Sequence, residues 1–388
     1  MKPIWKLTAA TAGSAAAAAV SVLATVAAPP ASAATASAVV AHAASGSAHA
    51  VFVQTDNTAG NTIVAFQRTP AGGLMQAGSY PTGGNGGVLT GSVVDHLASE
   101  SSLAYDRQAG LLYAVNAGSN TITIFSVSGD RLVRREVVGS GGQFPVSIAV
   151  HGNQVFVLNA LDGGSVAGFV QAGGSLRPVP SWHRALGLGT DASTAFTATP
   201  GQIAFTPDGS HLVVTTKGST NSIDVFRAGA FGLSAAPVVT SLPGAVPFGI
   251  TFDQYGHLAV AETGTNSVAT FRVARDDKLT QLGSAATGQA ATCWVTSADG
   301  TLFASNAGSA SESALQSQPG GAVTLLGATP TDAGTVDATP SSDGQYLYVQ
   351  AGGTGNVDAY RIGPGGSLTE TGSVVVPGAT GGEGIVAG

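Results

Sequence analysis

From residue 50 onward, apolar and polar positions alternate in short runs, each closed by a turn of Gly, Asn or Asp. That period of two is the pattern of half-buried β-strands. The runs also repeat as a phrase: an apolar strand, a turn, a second apolar strand, a small-residue turn, and a third strand ending in an aromatic. One copy runs Ser102-Leu-Ala-Tyr-Asp, Leu111-Leu-Tyr-Ala-Val-Asn116 and Thr121-Ile-Thr-Ile-Phe125; others end in Phe226, Phe271 and Tyr360.

The residues that open the third strands are Asn61, Asn120, Ser165, Asn221, Asn266, Glu312 and Asn356, spaced by 59, 45, 56, 45, 46 and 44. A period near 45 is that of a four-stranded propeller blade. The expected fold is therefore all-β, a seven-bladed β-propeller of antiparallel blades. The first copy starts at its second strand, Ala50-Val-Phe-Val-Gln54, while Glu383-Gly-Ile-Val-Ala387 has the form of an inner strand with nothing after it. The C-terminal strand is thus expected to complete blade 1 and close the ring. Pro207-Asp208-Gly209, Asp299-Gly300 and Asp343-Gly344 suit tight turns between inner strands, since Gly accepts positive φ and Asp bonds its own backbone.

Composition refines this picture. Gly numbers 55 and only 10% of residues are charged, yet 44% are hydrophobic and arranged with strand period, which is a sheet composition. Residues 1–33 read as an export signal, with Lys2 and Lys6, an Ala/Val/Leu-rich stretch and Ala31-Ser32-Ala33 as a cleavage site. Residues 34–48 then form a flexible segment and 49–388 the propeller. A secreted, monomeric protein without a membrane segment after cleavage is expected. Without residues 1–33 the chain carries 13 basic and 22 acidic groups, a charge of −9, which disfavours nucleic acid and anionic membranes. Cys293 stands alone, so no internal disulfide can form.

In a propeller, the turns between second and third strands and the blade-to-blade connections share one face, here called the upper face. Both excess spacings fall in such connections, at 81–100 and 181–199, so the mouth of the channel is the expected site. Register puts Asn116, Lys217, Glu262 and Asn306 at the ends of second strands, and Gln202, Cys293, Trp294 and Asp337 at the starts of inner strands. The insertions add Asp95, His96, Glu100, Trp182, His183 and Arg184. Asn116 and Asn306 recur at one blade position and also fit bonds to the following turn. His96 and His183 lack a third ligand, so neither a metal nor another cofactor is expected. Glu262 departs from the Asn, Gln or Thr usual at its place; it could serve as acid or base, or pair with Lys217.

Tyr113-Ala-Val-Asn-Ala-Gly-Ser-Asn-Thr-Ile122, Pro207-Asp208-Gly209 and Asn221-Ser-Ile-Asp-Val-Phe226 resemble the YVTN-type repeats of the lactonase-type seven-bladed propellers, which include 6-phosphogluconolactonases and carboxymuconate-lactonizing enzymes. The resemblance implies a lactone hydrolase or cyclase with Glu262 as acid or base. The family's Arg and His, however, are replaced by Phe248-Gly249 and Gly201-Gln202. Lys217 or Arg184 would then have to hold an anionic substrate, with His96, His183, Gln202, Trp294, Asn116 and Asn306 around it. The alternative is a non-catalytic propeller that binds a small polar molecule, a glycan or a protein at the same face. A metal-dependent gluconolactonase of another propeller type is a third reading, for which no carboxylate–Asn ligand cluster is apparent.

Overall fold

The computed structural model describes residues 49–388; the expected signal and the segment before residue 49 lie outside the described residues. Seven antiparallel sheets form seven blades, as the spacing predicts. Blade 2 shows the pattern: Leu103–Asp106 innermost, then Leu111–Asn116, Thr121–Ser128 and, at the outer edge, Arg131–Gly139. Ring closure is also as expected. Ile385–Ala387 pairs antiparallel with Ala50–Gln54, Phe52 facing Val386, and becomes the inner strand of blade 1. Among the described residues no helix is long and apolar enough to cross a membrane.

The recurring aromatic of the third strand explains the stability of this arrangement. Phe66, Phe125, Phe169, Phe226, Phe271 and Tyr360 are all at most 2% exposed, because each points into the space between neighbouring blades. Burying each such ring contributes about 2–3 kcal/mol. Outer strands alternate exposed with half-buried positions, as in Leu368–Val375, because only one face has a neighbour. The inner turns have the expected geometry, with Gly209, Gly300 and Gly344 at φ of 70°, 78° and 68°.

Two details of the inner strands shape the channel. In blades 3, 5, 6 and 7 the register slips near the start of the strand, at Pro145/Ser147, Pro247/Ile250, Thr292/Trp294 and Thr335/Ala338. Such bulges turn one extra residue, Asp337 among them, off the regular alternation. Exposure also changes along each strand: Leu103–Asp106, Ile203–Phe205, Pro247–Phe252 and Thr335–Pro340 begin buried and end half-buried. The channel is closed at its upper end and open at its lower end, where the Asp-Gly turns lie.

Candidate functional site

The closure comes from the first insertion. The connection from blade 1 to blade 2 does lie on the upper face, but it fills the mouth, touching all seven blades. Gly86 N donates to Asn57 O (2.9 Å) and Gly118 N to Asn85 O (3.1 Å), tying the segment to blades 1 and 2. Ser99 Oγ donates to Val146 O of blade 3 (2.9 Å), and Trp294 Nε1 of blade 6 donates to Ser99 O (2.7 Å). Lys217 Nζ of blade 4 donates to Ala98 O (2.6 Å), Phe196 O (3.0 Å) and Thr199 Oγ1 (3.0 Å). Gly352 of blade 7 packs against the carbonyl of Val94, and Gly249 of blade 5 against Glu100. Within the segment, Asp95 accepts from the amides of Leu97 (2.8 Å) and Ser99 (2.9 Å), which fixes its turn.

The mouth residues singled out from sequence are therefore buried and mostly committed. Asn116 donates to Thr121 and Thr123, and Asn306 to Ala304, Ser311 and Ser313, which are bonds within their own blades. Trp294 also meets Phe248 edge-on at 5.2 Å. Glu262 accepts from Ser267 Oγ (2.9 Å), and burial raises its pKa. No hydrogen bond or ion pair joins it to Lys217 among the described residues. Cys293 is buried and free, its thiol pushed up to about 12 by burial. His96 is half-buried against Gly381, and burial lowers its pKa.

The second insertion departs from expectation at its start. Arg184–Ala185 pairs with Ser165 and Val166 as an outer strand of blade 3, so Trp182, His183 and Arg184 lie on the rim between blades 3 and 4 instead of at the mouth. Trp182 stacks on Phe156 at 5.7 Å, and His183 is exposed. Arg184 donates to the carbonyls of Ser234 (2.7 Å), Leu233 (2.6 Å), Ser181 (2.9 Å) and His183 (2.7 Å). Its guanidinium fastens two blades. Only the later part of the insertion, with Phe196 and Thr199, reaches the mouth.

Below the filled mouth is an axial cavity of about 190 Å³, lined by Glu100, Ser101, Gln202, Thr251, Thr296, Asp337 and Thr339 among aliphatic side chains that include Leu103, Ile250 and Val386. Gln202 donates to Ser101 Oγ (2.9 Å) and accepts from Ile250 N, which holds it in the wall. At the closed end the carboxyls form a chain. Asp337 Oδ2 accepts from Ile385 N (3.2 Å) and its carboxyl hydrogen-bonds that of Glu383. Glu383 in turn accepts from Ser102 N (3.3 Å), and its own amide donates to Asp56 Oδ2 (2.8 Å). Glu100 Oε2 accepts weakly from Val295 N at 3.4 Å.

Burial raises every one of these acids, because a charge there loses its hydration. Asp56 and Glu312 are pushed up to about 8. Glu100, Asp337 and Glu383 are raised as well, first by burial; Glu100 and Glu383 are raised further by repulsion from Asp337. Beside them burial raises Asp95 and lowers Lys217, with their mutual attraction opposing both shifts. Among the described residues no group of three side chains could hold a metal. The sequence placed Asp337 at the start of an inner strand and Glu100 in the first insertion, both at the mouth and not in the cavity below it; Asp56 carried no signal, and Glu312 was notable only as a repeat position.

Gly249 stands where the resemblance leads one to look for a cation. A Cβ there would collide with Glu100 Oε2 and lie 2.8 Å from Cys293 O, so glycine is what admits Glu100 to the axis. Gly249→Ala should cost about 2 kcal/mol by overpacking. Calorimetry should show a lower melting temperature; an unchanged one would mean that Glu100 does not pack there.

Fold and site together define a seven-bladed propeller with a blind, carboxyl-lined axial cavity. The family model described as "Lactonase, 7-bladed beta-propeller" matches residues 84–259. A periplasmic gluconolactonase of Pseudomonas aeruginosa is 18% identical, with 87% of this chain and 98% of that one covered and a TM-score of 0.68. A protein described as a candidate 6-phosphogluconolactonase from Bacteroides uniformis is 19% identical, covering 86% and 98%, also at 0.68. Virginiamycin B lyase from Staphylococcus aureus is 13% identical over 74% and 87%, with a TM-score of 0.50. No curated protein matches the chain. The chain resembles the lactonase-type propellers, 6-phosphogluconolactonases among them; at these identities the solved structures speak for the fold alone.

Proposed function

We propose that this protein hydrolyses lactones, with Glu100 and Asp337 as the acid–base pair at the closed end of the axial cavity. The observation that carries this reading is that two buried carboxyls with raised pKa values line one cavity and repel each other's charge. Two such carboxyls do not readily ionise together, so one keeps its proton while the other has lost it. The ionised member takes a proton from water, whose oxygen attacks the lactone carbonyl. The ring C–O bond breaks, and the protonated member gives its proton to the departing alkoxide, so one water is consumed and a hydroxy acid formed. Thr251, Thr296 and Thr339 on the wall offer hydroxyls to the carbonyl oxygen.

Asp337→Asn and Glu100→Gln should each lower kcat by about 100-fold or more in an acid-release assay, with the fold intact. A second reading keeps the chemistry at Glu262, favoured by its own raised pKa and its lack of a cationic partner among the described residues. Glu262→Gln separates the two. Loss of turnover in that variant alone would move the site to the mouth, whereas no turnover of any lactone by the native protein would leave a binding propeller. The reading includes export directed by residues 1–33, a small-molecule occupant and a monomeric chain.

A further inference from the structure

Resting on the hydrolase reading, we infer that the substrate is an uncharged lactone that enters from the lower face, the end opposite the usual mouth. Two observations carry this. The first is the blocked upper end: the connection between blades 1 and 2 bonds across it, so a molecule arriving there meets Ala98, Ser99 and the Trp294 indole before it meets the cavity. The inner strands, by contrast, are half-exposed only at their lower ends.

The second observation is the charge of the wall. Glu100 and Asp337 are its ionisable groups, and the remaining polar lining is hydroxyl and amide. An anionic substituent inside would face like charge across a medium that screens poorly. Arg107, just after the inner strand of blade 2, does not offset this. It donates to the carbonyl of Ala387 and lies over the Tyr105 ring at 5.8 Å. The same wall favours turnover in one direction. A neutral ring enters without penalty, while its product is a carboxylate that the ionised member of the pair repels, which speeds release.

Glucono-1,5-lactone and its 6-phosphate ester test the charge class, because they share a ring and differ by a dianion. We expect kcat/KM for the uncharged ring to be higher by about 100-fold. Equal or preferred hydrolysis of the phosphate ester would overturn the inference while leaving lactone hydrolysis in place. If neither lactone ring is opened, the hydrolase reading fails, and ligand-observed NMR with glucose and glucose 6-phosphate, which have no lactone ring to open, decides the remainder. Binding of glucose alone upholds the charge class, and preference for the phosphate or no binding of either overturns it.

For the direction of approach, Val386→Trp, or Val386→Phe should the first not fold, narrows the lower part of the cavity and should cut kcat/KM by at least about 10-fold. Val88→Trp, on the exposed outer surface of the segment that fills the mouth, should leave it unchanged. The reverse pair of results would put the entrance at the upper face.

Discussion

Truncation after Thr380 should abolish the cooperative melting of the ring at 37 °C, although it removes only eight residues. Ile385 and Ala387 leave the core, and Ala50–Gln54 becomes an open inner edge. The bonds Gln54 N to Gly384 O (2.8 Å), Gly388 N to Ala50 O (2.7 Å) and His96 N to Gly381 O (2.8 Å) are lost together. Asp56 and Asp337 lose the amide donors of Glu383 and Ile385. Burial of an Ile contributes about 2 kcal/mol and each stranded buried polar group costs about 1–3 kcal/mol, so the total rivals the 5–15 kcal/mol stability of an ordinary domain. A peptide of residues 381–388 added in trans should restore part of the transition by strand addition. An unchanged melting temperature in the truncated chain would show that the ring closes by other means.

Stability should also have an unusual dependence on pH, falling as pH rises from 5 to 8. Asp56 and Glu312 hold their protons up to about pH 8 in the folded chain, against ordinary values of 3.8 and 4.5. Between pH 4 and 8 the folded state binds more protons than the unfolded state, so stability falls as pH rises. Lys217 works in the opposite sense, since its folded pKa lies below 10.5, but burial raises the Cys293 thiol from its ordinary 9 to about 12 and cancels that gain at alkaline pH. The melting temperature should therefore drop by about 5 °C or more from pH 5 to pH 8. Asp56→Asn should flatten the acid limb. A flat profile in the native protein would mean that these carboxyls ionise normally.

Much of this architecture was legible in the sequence because it repeats. The alternation that ends in Phe125, Phe226 and Tyr360 is one packing solution used with an aromatic in six blades and with Leu315 in the other, and an incomplete first copy with an orphan strand at residue 383 has only one way to close. The site was less legible. Lys217 spends its ammonium on Ala98, 119 residues away, and no local pattern announces that partner. The two-residue strand Arg184–Ala185 is too short to have a period, so the rim position of Trp182, His183 and Arg184 had no signal. The bulge before Ala338 shifts facing by one residue, which alternation alone cannot register. Gly249 could be read as a missing cation, yet its positive role, room for Glu100, needs three dimensions.

The segment that fills the mouth also has a consequence for how the molecule is made. It emerges early in synthesis, between the first two blades, but its anchors include Trp294, Gly352 and Gly381. Its apolar side chains Leu89 and Leu97 can settle once blades 2 to 4 exist, since they pack in the core those blades share, but its anchors on blades 6 and 7 and on the C-terminal strand come later. Assembly therefore has a late, long-range final step, of the kind that makes folding slow. A chain whose C-terminus is not yet free would keep that step pending, and the last few residues released would act as the trigger for the whole ring.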